Sequence, residues 1–295
     1  MEAQKSEIFS GRTFSRKRIT EIVEIIDSCP GLSRTELANT ICEIYKWKRP
    51  SGRLKTVEGR QFLEYLESKD YLNLPERKKG RPRGSATKVI RTGTGELKSV
   101  ISCKARDFFP LELKRVQTKP ERQLWYEYVD RYHYLGYKSP FGAQIRYFAE
   151  SARGDILGCL QFSSPAWKMR DRDKWIGWSE DQRKRNLQQI VNNSRFLILP
   201  WIQAKNLASA VLGKAANLLP EAWEDTYGYR PVLLETLVDR RRFQGTSYKA
   251  ANWVYIGITT GRGRMDRANT RQGMATKEIY AYPLEQSFRE TLMNG

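Results

Sequence analysis

Two carboxylates in the C-terminal third of the sequence have types and spacing that could do chemistry. Glu235 and Asp239 lie four positions apart, in and just after an apolar run, Pro231–Val238, that is typical of a strand buried on both faces. A carboxylate in such a strand is costly unless it is paired, protonated or bound to a ligand. We therefore predict that Glu235 and Asp239 are catalytic and that they help to bind a divalent cation, Mg²⁺ or Mn²⁺.

Distance limits what these two carboxylates can do alone. Four residues of strand span about 13 Å, which is too far for both to share one ion unless the strand bends or further acids contribute. Asp173, Asp225 and Glu150 are candidates for such acids, and the sequence does not choose among them. The structural alternative is a buried ion pair between Glu235 and Arg195 on a neighbouring strand.

Three more side chains are suited to proton or phosphoryl transfer. His133 is the only histidine in the chain and could act as a general base or proton shuttle. Tyr248 and Asn252 are one turn apart on a predicted short helix, Ser247–Trp253, and Tyr248 could attack a phosphate or act as a general acid. Packing for His133 and Tyr248, and capping for Asn252, are the structural alternatives.

Basic residues surround these candidates. They are Arg240, Arg241, Arg242, Arg262 and Arg264. Guanidinium groups bind phosphate through paired hydrogen bonds, and the whole chain has a net charge of +19. Both observations predict DNA as the partner. Because the sequence has no apolar run long enough to span a bilayer and no apolar signal region, we expect a cytoplasmic protein with no membrane partner.

The N-terminal region, residues 1–76, is predicted to be a winged helix-turn-helix domain. Helices are expected at Arg16–Asp27, after a capping box that begins at Ser33, and at Leu54–Ser68, and a short strand at Tyr71–Pro75 follows them. The third helix would contact DNA through Arg53, Lys55 and Arg60. A three-helix packing module whose charges are only solvated is the alternative.

A basic linker is predicted at residues 77–107. Between residues 77 and 106 it holds ten Lys or Arg and one Glu. Its most basic part resembles an AT-hook, in which arginines enter a narrow A·T minor groove. The residues that would contact DNA are Lys78, Lys79, Arg81 and Arg83. A disordered tether that binds any phosphate is the alternative.

Residues 108–295 are predicted to be a mixed α/β domain that carries the catalytic residues. Its predicted strands are Gln144–Glu150, Ile156–Phe162, Ser194–Leu199, Pro231–Val238, Val254–Ile258 and Lys277–Leu284. The predicted helices include Pro120–Tyr134 and Lys205–Leu219. The charged, Trp-rich segment Arg170–Trp178 is predicted to be an exposed loop.

The C-terminal motifs resemble the DruA family of Druantia anti-phage systems and mobile elements. They are ETLVD at Glu235–Asp239, FxGTxYKAANW at Phe243–Trp253, and GxTxGRGR at Gly257–Arg264. The resemblance implies bacterial anti-phage defence or a mobile element, with other defence-system subunits as partners. We expect an enzyme of the nuclease or transposase kind, which cleaves or transfers DNA strands. A non-catalytic DNA-sensing subunit is an alternative, and an oligomer remains open.

A more distant resemblance links the same region to the GNAT acyltransferase fold. It implies that Gln144–Phe162 is a central hairpin and that Ser194–Leu199 is a splayed strand before a cofactor helix. That family binds pyrophosphate with a glycine-rich turn at a helix N-terminus, but Pro200–Asn206 contains no glycine. Coenzyme A is therefore not expected, and a GNAT-like enzyme that modifies DNA or protein is the second alternative.

Overall fold

A computed structural model of the chain describes residues 6–9, 12–29, 31–49, 54–76, 89–140, 142–261 and 276–294. Packing divides the chain into two units, residues 1–81 with 223–230 and residues 82–222 with 231–295. The first unit thus includes a short segment from late in the chain. The domains predicted from the sequence, with boundaries at 76/77 and 107/108, are continuous in the chain and therefore do not include that segment in the first unit.

A short hairpin and three helices make up the described N-terminal part of the first unit. Its elements are β1 (Glu7–Phe9), β2 (Arg12–Phe14), α1 (Arg16–Asp27), α2 (Arg34–Ile44) and α3 (Thr56–Ser68). The three predicted helices are confirmed. The predicted capping box is also confirmed, because the Glu36 amide donates to the Ser33 hydroxyl and the Ser33 amide donates to the Glu36 carboxylate.

The strand predicted at Tyr71–Pro75 is wrong. Residues 71–76 pair with no strand in the part of the chain that the structure describes. The strands of this unit precede α1 instead, and Phe14 of β2 stacks on Phe62 of α3 with ring centroids 4.0 Å apart. Burial of these two rings accounts for the position of the hairpin. Within residues 71–76, the described stretch after the third helix, the structure therefore shows no strand of the predicted wing.

The second unit is a mixed α/β domain, as predicted. Its elements are β3 (Ile101–Ser102), β4 (Glu112–Arg115), α4 (Lys119–Tyr132), β5 (Gln144–Glu150), β6 (Ile156–Ser163), α5 (Arg170–Ile176), α6 (Glu180–Asn186), β7 (Ile190–Ile198), β8 (Ile202–Gln203), α7 (Leu207–Tyr227), β9 (Leu233–Asp239), α8 (Thr246–Ala250), β10 (Val254–Ile258), β11 (Lys277–Pro283) and α9 (Phe288–Met293). The last five residues of α7 are assigned to the first unit. A seven-stranded sheet has the order β10-β11-β9-β7-β6-β5-β4. Among the described helices, none has the length and apolar character needed to cross a bilayer.

The central pair of strands opens a gap in this sheet. β7 and β9 are parallel, whereas the other pairs in the sheet are antiparallel. Their pairing covers only Ile190–Asn193 of β7 and Leu233–Thr236 of β9. Beyond Asn193 and Thr236 the two strands diverge, so the sheet leaves a cleft between them.

The segment predicted to be an exposed loop contains a helix that is partly buried. α5 has five charged residues among its seven, yet Arg172 and Ile176 are buried. The prediction was wrong because burial of Arg172 depends on acids that neutralise it, and one of them, Glu235, lies in β9. Ile176 and Trp178 join a core cluster with Phe288 and Leu292.

Candidate functional site

A cleft of about 630 Å³ lies where β7 and β9 diverge. Its walls come from residues 192–198 of β7, 236–239 of β9, 132–135 at the end of α4 and 243–248 around the start of α8, together with Lys277. All of these residues belong to the second unit. The volume falls within the range of about 300–1,000 Å³ that is usual for small-ligand sites.

Two cations and one carboxylate form the charged part of the cleft. Lys277 of β11 lies directly opposite Asp239 of β9 in the antiparallel register, and Arg195 of β7 completes the group. Neither Arg195 nor Lys277 forms an ion pair with an acid in the described ranges. Burial lowers the pKa of Lys277, and the charge of Asp239 opposes that effect. The cleft therefore offers positive charge to a ligand.

His133 lies beside these cations as a neutral hydrogen-bond donor. Its Nδ1 accepts a hydrogen bond of 3.2 Å from the Leu135 amide, so the ring proton is assigned to Nε2. Burial, and then the charges of Arg195 and Lys277, lower the pKa of His133 to about 4. This arrangement favours donation from Nε2–H over the general-base role that the sequence suggested.

Each of the two predicted catalytic carboxylates is already held by an arginine. Arg241 binds both oxygens of Asp239, with Nε–Oδ1 and Nη2–Oδ2 distances of 3.2 and 3.1 Å. Its hydrogen bonds lower the pKa of Asp239. Glu235 is fully buried, and its Oε2 accepts from Arg172 Nη1 at 3.1 Å. Asp239 lines the cleft, and Glu235 is not one of the lining residues.

The predicted partner of Glu235 is wrong. Arg195 Nε donates to the carbonyl of Gly136 at 3.2 Å. The arginine that pairs with Glu235 is Arg172 of α5. Arg172 is oriented by Asp173, which accepts from its Nε and Nη2 at 3.0 and 2.8 Å. The buried acid is thus part of an ion network that connects α5 to β9.

The donor set does not fit the predicted Mg²⁺ or Mn²⁺. Glu235 and Asp239 are both bound to arginines, and no group of three His, Cys, Asp or Glu suited to a metal occurs among the described residues. In the segment between β7 and α7, the Ile202 amide donates to Leu199, and the carbonyls of Trp201 and Gln203 accept from Ile101 and Cys103. The absence of glycine from this segment argues against coenzyme A.

Tyr248 connects α8 to the two diverging strands. Its hydroxyl donates to Asn193 Oδ1 at 2.7 Å and accepts from Thr236 Oγ1 at 3.3 Å. Burial raises the pKa of Tyr248. Nucleophilic attack by this hydroxyl would require the bond to Asn193 to break, so the geometry favours a role in holding the walls of the cleft in place.

Asn252 does not share a helical face with Tyr248. α8 ends at Ala250, and Asn252 follows it with a left-handed φ of 62° and an exposed side chain. It is not among the residues that line the cleft. The prediction assumed a helix that reached Trp253, but the helix is two residues shorter than that face requires.

The three consecutive arginines after β9 have different contacts. Arg240 pairs with Glu278 at 3.4 Å, and Arg241 pairs with Asp239. The Arg242 guanidinium lies over the ring of Tyr134, 5.4 Å from its centroid. Arg242 is therefore the one of the three with no ion pair to a described acid. Arg262 and Arg264 lie outside the described residues.

Two of the residues predicted to contact DNA from the N-terminal part of the chain, Lys55 and Arg60, lie within the described residues. Arg60 lies 3.8 Å from Glu64 on the same helix, and Lys55 precedes α3 as its half-buried N-cap residue. Arg53, Lys78, Lys79, Arg81 and Arg83 lie outside the described residues.

Sequence reasoning missed several residues of the cleft. Lys277 was assigned only to a strand, and Arg195 only to an ion pair. Tyr134 and Phe243 lie on two segments that meet with ring centroids 5.3 Å apart. The one signal for the latter pair was the aromatic character of both segments, because the distance between them in sequence hides the contact.

Solved structures that resemble the chain include acetyltransferases of Vibrio cholerae. A spermidine N-acetyltransferase in complex with CoA and spermine has 11% identity, covers 61% of this chain and 98% of its own, and has a TM-score of 0.38. The spermidine/spermine N-acetyltransferase SpeG in complex with manganese ions has 10% identity, covers 61% and 96%, and has a TM-score of 0.38. A chimera of SpeG and hSSAT has 10% identity, covers 63% and 99%, and has a TM-score of 0.41. At these TM-scores and identities, the similarity does not indicate which ligands this protein binds or what activity it has.

No curated protein matches the sequence. A family model described as Druantia protein DruA matches residues 65–287. The match includes most of the second unit and the three motifs at Glu235–Asp239, Phe243–Trp253 and Gly257–Arg264. It covers well over half of the chain, and the protein therefore belongs to the Druantia protein DruA family.

Proposed function

We propose that this protein acts on nucleic acid in bacterial anti-phage defence, and that the cleft between β7 and β9 binds the phosphate backbone. One observation carries the proposal: Arg195 and Lys277 face the cleft and neither forms an ion pair with a described acid, although Asp239 lies opposite Lys277 in the strand register. A half-buried cation whose charge is not taken up by an ion pair is well placed to bind an anion. The net charge of +19 makes nucleic acid the first choice among anions.

Strand cleavage or transfer is the reaction that we propose for this site. A phosphodiester that reacts needs its developing negative charge neutralised, and Arg195 and Lys277 can do this. The Nε2–H of His133 can donate to a phosphate oxygen. The carboxylate of Asp239, held by Arg241, can orient the attacking hydroxyl or water. Glu235 would then stabilise the fold and would not contact the substrate.

The first unit and the basic segment after it would bring the protein to DNA. We propose contacts from Arg53, Lys55, Arg60, Lys78, Lys79, Arg81 and Arg83, in a helical module related to the winged helix and in an AT-hook-like segment. In the described part, the side chains of Arg16, Lys17 and Arg18 at the start of α1 are exposed. These three cations are a further surface that can bind phosphate.

The test is a cleavage and strand-transfer assay with supercoiled and single-stranded DNA, in Mg²⁺, in Mn²⁺ and in EDTA. The wild type is compared with Arg195→Gln, Lys277→Met, Asp239→Asn and Tyr248→Phe. Lys214→Gln is the matched control, because Lys214 is exposed on α7 of the same unit and does not line the cleft.

The proposal expects product from the wild type and from Lys214→Gln, and loss of product from Arg195→Gln and Lys277→Met. A covalent protein–DNA adduct that is lost in Tyr248→Phe would assign the nucleophile to Tyr248. DNA binding without product in any condition would remove the cleavage function and leave a DNA-sensing subunit. Absence of DNA binding would remove the whole proposal.

A second candidate is a GNAT-like enzyme that modifies DNA or protein. The observation that favours it is the divergence of β7 from β9. β7 contains most of Ser194–Leu199, the segment that the GNAT resemblance implies is a splayed strand. The glycine-free turn at Pro200–Asn206 opposes it. Thermal unfolding with coenzyme A or acetyl-coenzyme A decides the point: a saturable rise in Tm supports this candidate, and an unchanged Tm removes it.

A further inference from the structure

We infer that the cleft takes a single unpaired nucleotide, with its base stacked on Phe243 and its phosphate bound by Arg195 and Lys277. This inference rests on the proposed function and specifies the substrate class for the same site. An unpaired nucleotide arises either in single-stranded nucleic acid or by extrusion from a duplex. Both sources present the same chemistry, which is one free aromatic face and one adjacent phosphate.

The size of the cleft is the first observation. Its volume of about 630 Å³ suits a ligand of drug size, which is also the size of a mononucleotide. A base-paired segment with two backbones is far larger. Two of the walls are backbone of the sheet itself, because β7 is hydrogen-bonded to β6 and β9 is hydrogen-bonded to β11 on the sides away from the cleft. A duplex can therefore use this site only after one nucleotide leaves the stack.

The exposure of Phe243 is the second observation. This ring lines the cleft, and 50% of the residue is open to solvent. Its one ring contact among the described residues is with Tyr134, at a centroid distance of 5.3 Å and an interplanar angle of 62°. An edge-on contact of this kind leaves ring surface free for a third aromatic group. Exposed aromatic rings beside cations are typical of proteins that bind unpaired bases.

The distribution of side chains in the cleft is the third observation. The aromatic residues come from connecting segments, Tyr134 after α4 and Phe243 between β9 and α8. The cations Arg195 and Lys277 come from the strands β7 and β11. Arg242 lies over Tyr134 and adds a cation on the aromatic side. The cleft thus combines an exposed ring that can stack on a base with cations on the strands that can bind a phosphate. Stacking on a ring discriminates little among bases, so we expect weak sequence preference.

Fluorescence anisotropy with three labelled DNAs of one sequence tests the inference. The DNAs are a single strand, a flush duplex, and a duplex with one unpaired nucleotide. The variants are Phe243→Ala and Phe243→Trp, and Trp restores an aromatic face. Tyr255→Ala is the control, because Tyr255 is also an exposed aromatic residue, at 51%, but does not line the cleft. Thermal melting of each variant verifies that it is folded.

We expect Phe243→Ala to bind the single strand or the interrupted duplex about tenfold more weakly, which corresponds to the loss of one stacked base. Phe243→Trp and Tyr255→Ala should bind like the wild type, and the flush duplex should be unaffected by Phe243→Ala. Preference for the single strand alone assigns single-stranded nucleic acid as the source. Tight binding of the interrupted duplex assigns an extruded nucleotide.

Two results separate failure of this inference from failure of the proposed function. If Arg195→Gln weakens binding but Phe243→Ala changes nothing, the cleft binds phosphate without stacking a base and the inference is overturned. If Arg195→Gln and Lys277→Met change no affinity on any DNA, the cleft is not the nucleic-acid site and the proposed function itself is overturned.

Discussion

Arg172 and Glu235 form an ion pair of 3.1 Å in which the two side chains are 0% and 1% exposed. The pair joins α5 to β9, the strand that forms one wall of the cleft. Removal of a buried charge's partner leaves that charge desolvated and uncompensated. The pair therefore anchors α5 to a strand that forms one wall of the cleft, through a residue that does not line the cleft itself.

We predict that Arg172→Met lowers the free energy of unfolding by about 3–5 kcal/mol, the usual cost of breaking a buried ion pair. Glu235→Gln should cost less, because its amide oxygen can still accept from Arg172. Urea denaturation measures both, with Lys174→Met on the exposed side of the same helix as the control. A loss below about 1 kcal/mol in Arg172→Met would show that the pair contributes no more than a surface ion pair.

Folded Glu235→Gln should retain nucleic-acid binding and any cleavage activity of the wild type. The physical reason is that Glu235 is buried against Arg172 and is not among the residues that line the cleft. Assays at a temperature well below the Tm of the variant separate activity from stability. A folded Glu235→Gln protein that binds normally but has lost all product would return Glu235 to the catalytic group.

His133 should titrate near pH 4 instead of near 6.5. Burial, with smaller contributions from Arg195 and Lys277, lowers the pKa of His133 to about 4. Because His133 is the only histidine in the chain, NMR of labelled imidazole reports on it alone. Arg195→Gln and Lys277→Met should each raise this pKa, whereas Lys214→Gln should not. A midpoint near 6.5 in the wild type would contradict the burial of this ring.

Stability should follow the same titration. Below pH 6.5 the unfolded chain binds a proton at His133, whereas the folded chain binds it only near pH 4. The contribution of neutral His133 to the free energy of unfolding is therefore complete above pH 6.5. It is lost as the pH falls to 4, with a total on the order of 3 kcal/mol. Urea denaturation between pH 7 and 4 measures it. His133→Gln should remove this part of the pH dependence.

The two cations of the cleft should each contribute to the salt dependence of nucleic-acid binding. For single strands, the slope of log Kd against log salt changes by about 0.7 for each phosphate contact. Arg195→Gln and Lys277→Met should each reduce the slope by that amount, and Lys214→Gln should leave it unchanged. Equal slopes for all four proteins would place the phosphate contacts elsewhere.

Glu127 should hold the segment 91–95 against α4. This buried carboxylate accepts from the Thr92 amide at 2.6 Å, from the Thr92 hydroxyl at 2.8 Å and from Arg131 Nε at 2.9 Å. Burial alone would raise the pKa of Glu127, but these hydrogen bonds outweigh it and lower the pKa. We predict that Glu127→Gln speeds hydrogen exchange at Thr92 about thirtyfold, the equivalent of about 2 kcal/mol. Exchange at the wild-type rate would show that other contacts hold the segment.

The sequence predicted most elements of the second unit because their patterns are local. Gln144–Glu150 and Val254–Ile258 have the predicted bounds, since turn residues and apolar runs mark both ends of each. The helix at Arg170–Ile176 was missed because the burial of Arg172 depends on Glu235, 63 residues later. No local pattern distinguishes such an arginine from a solvated one.

The composition of the site was predicted less well than the fold. His133, Asp239 and Tyr248 line the cleft as candidates that the sequence identified. Lys277 joins them only through the register of β9 and β11. Register between strands 38 residues apart is set by tertiary packing and turn geometry. The hairpin of β1 and β2 was missed for a related reason: strands of three residues are too short to show a period.

The most direct test follows the imidazole of His133 by NMR while a single-stranded oligonucleotide is added to the labelled protein. His133 is the only histidine in the chain and lines the cleft, so its resonance reports occupancy of that site. We predict a shift that saturates together with the binding isotherm and is absent in an Arg195→Gln, Lys277→Met double variant. An oligonucleotide that binds to saturation and leaves the resonance in place would contradict the assignment of the cleft as the nucleic-acid site.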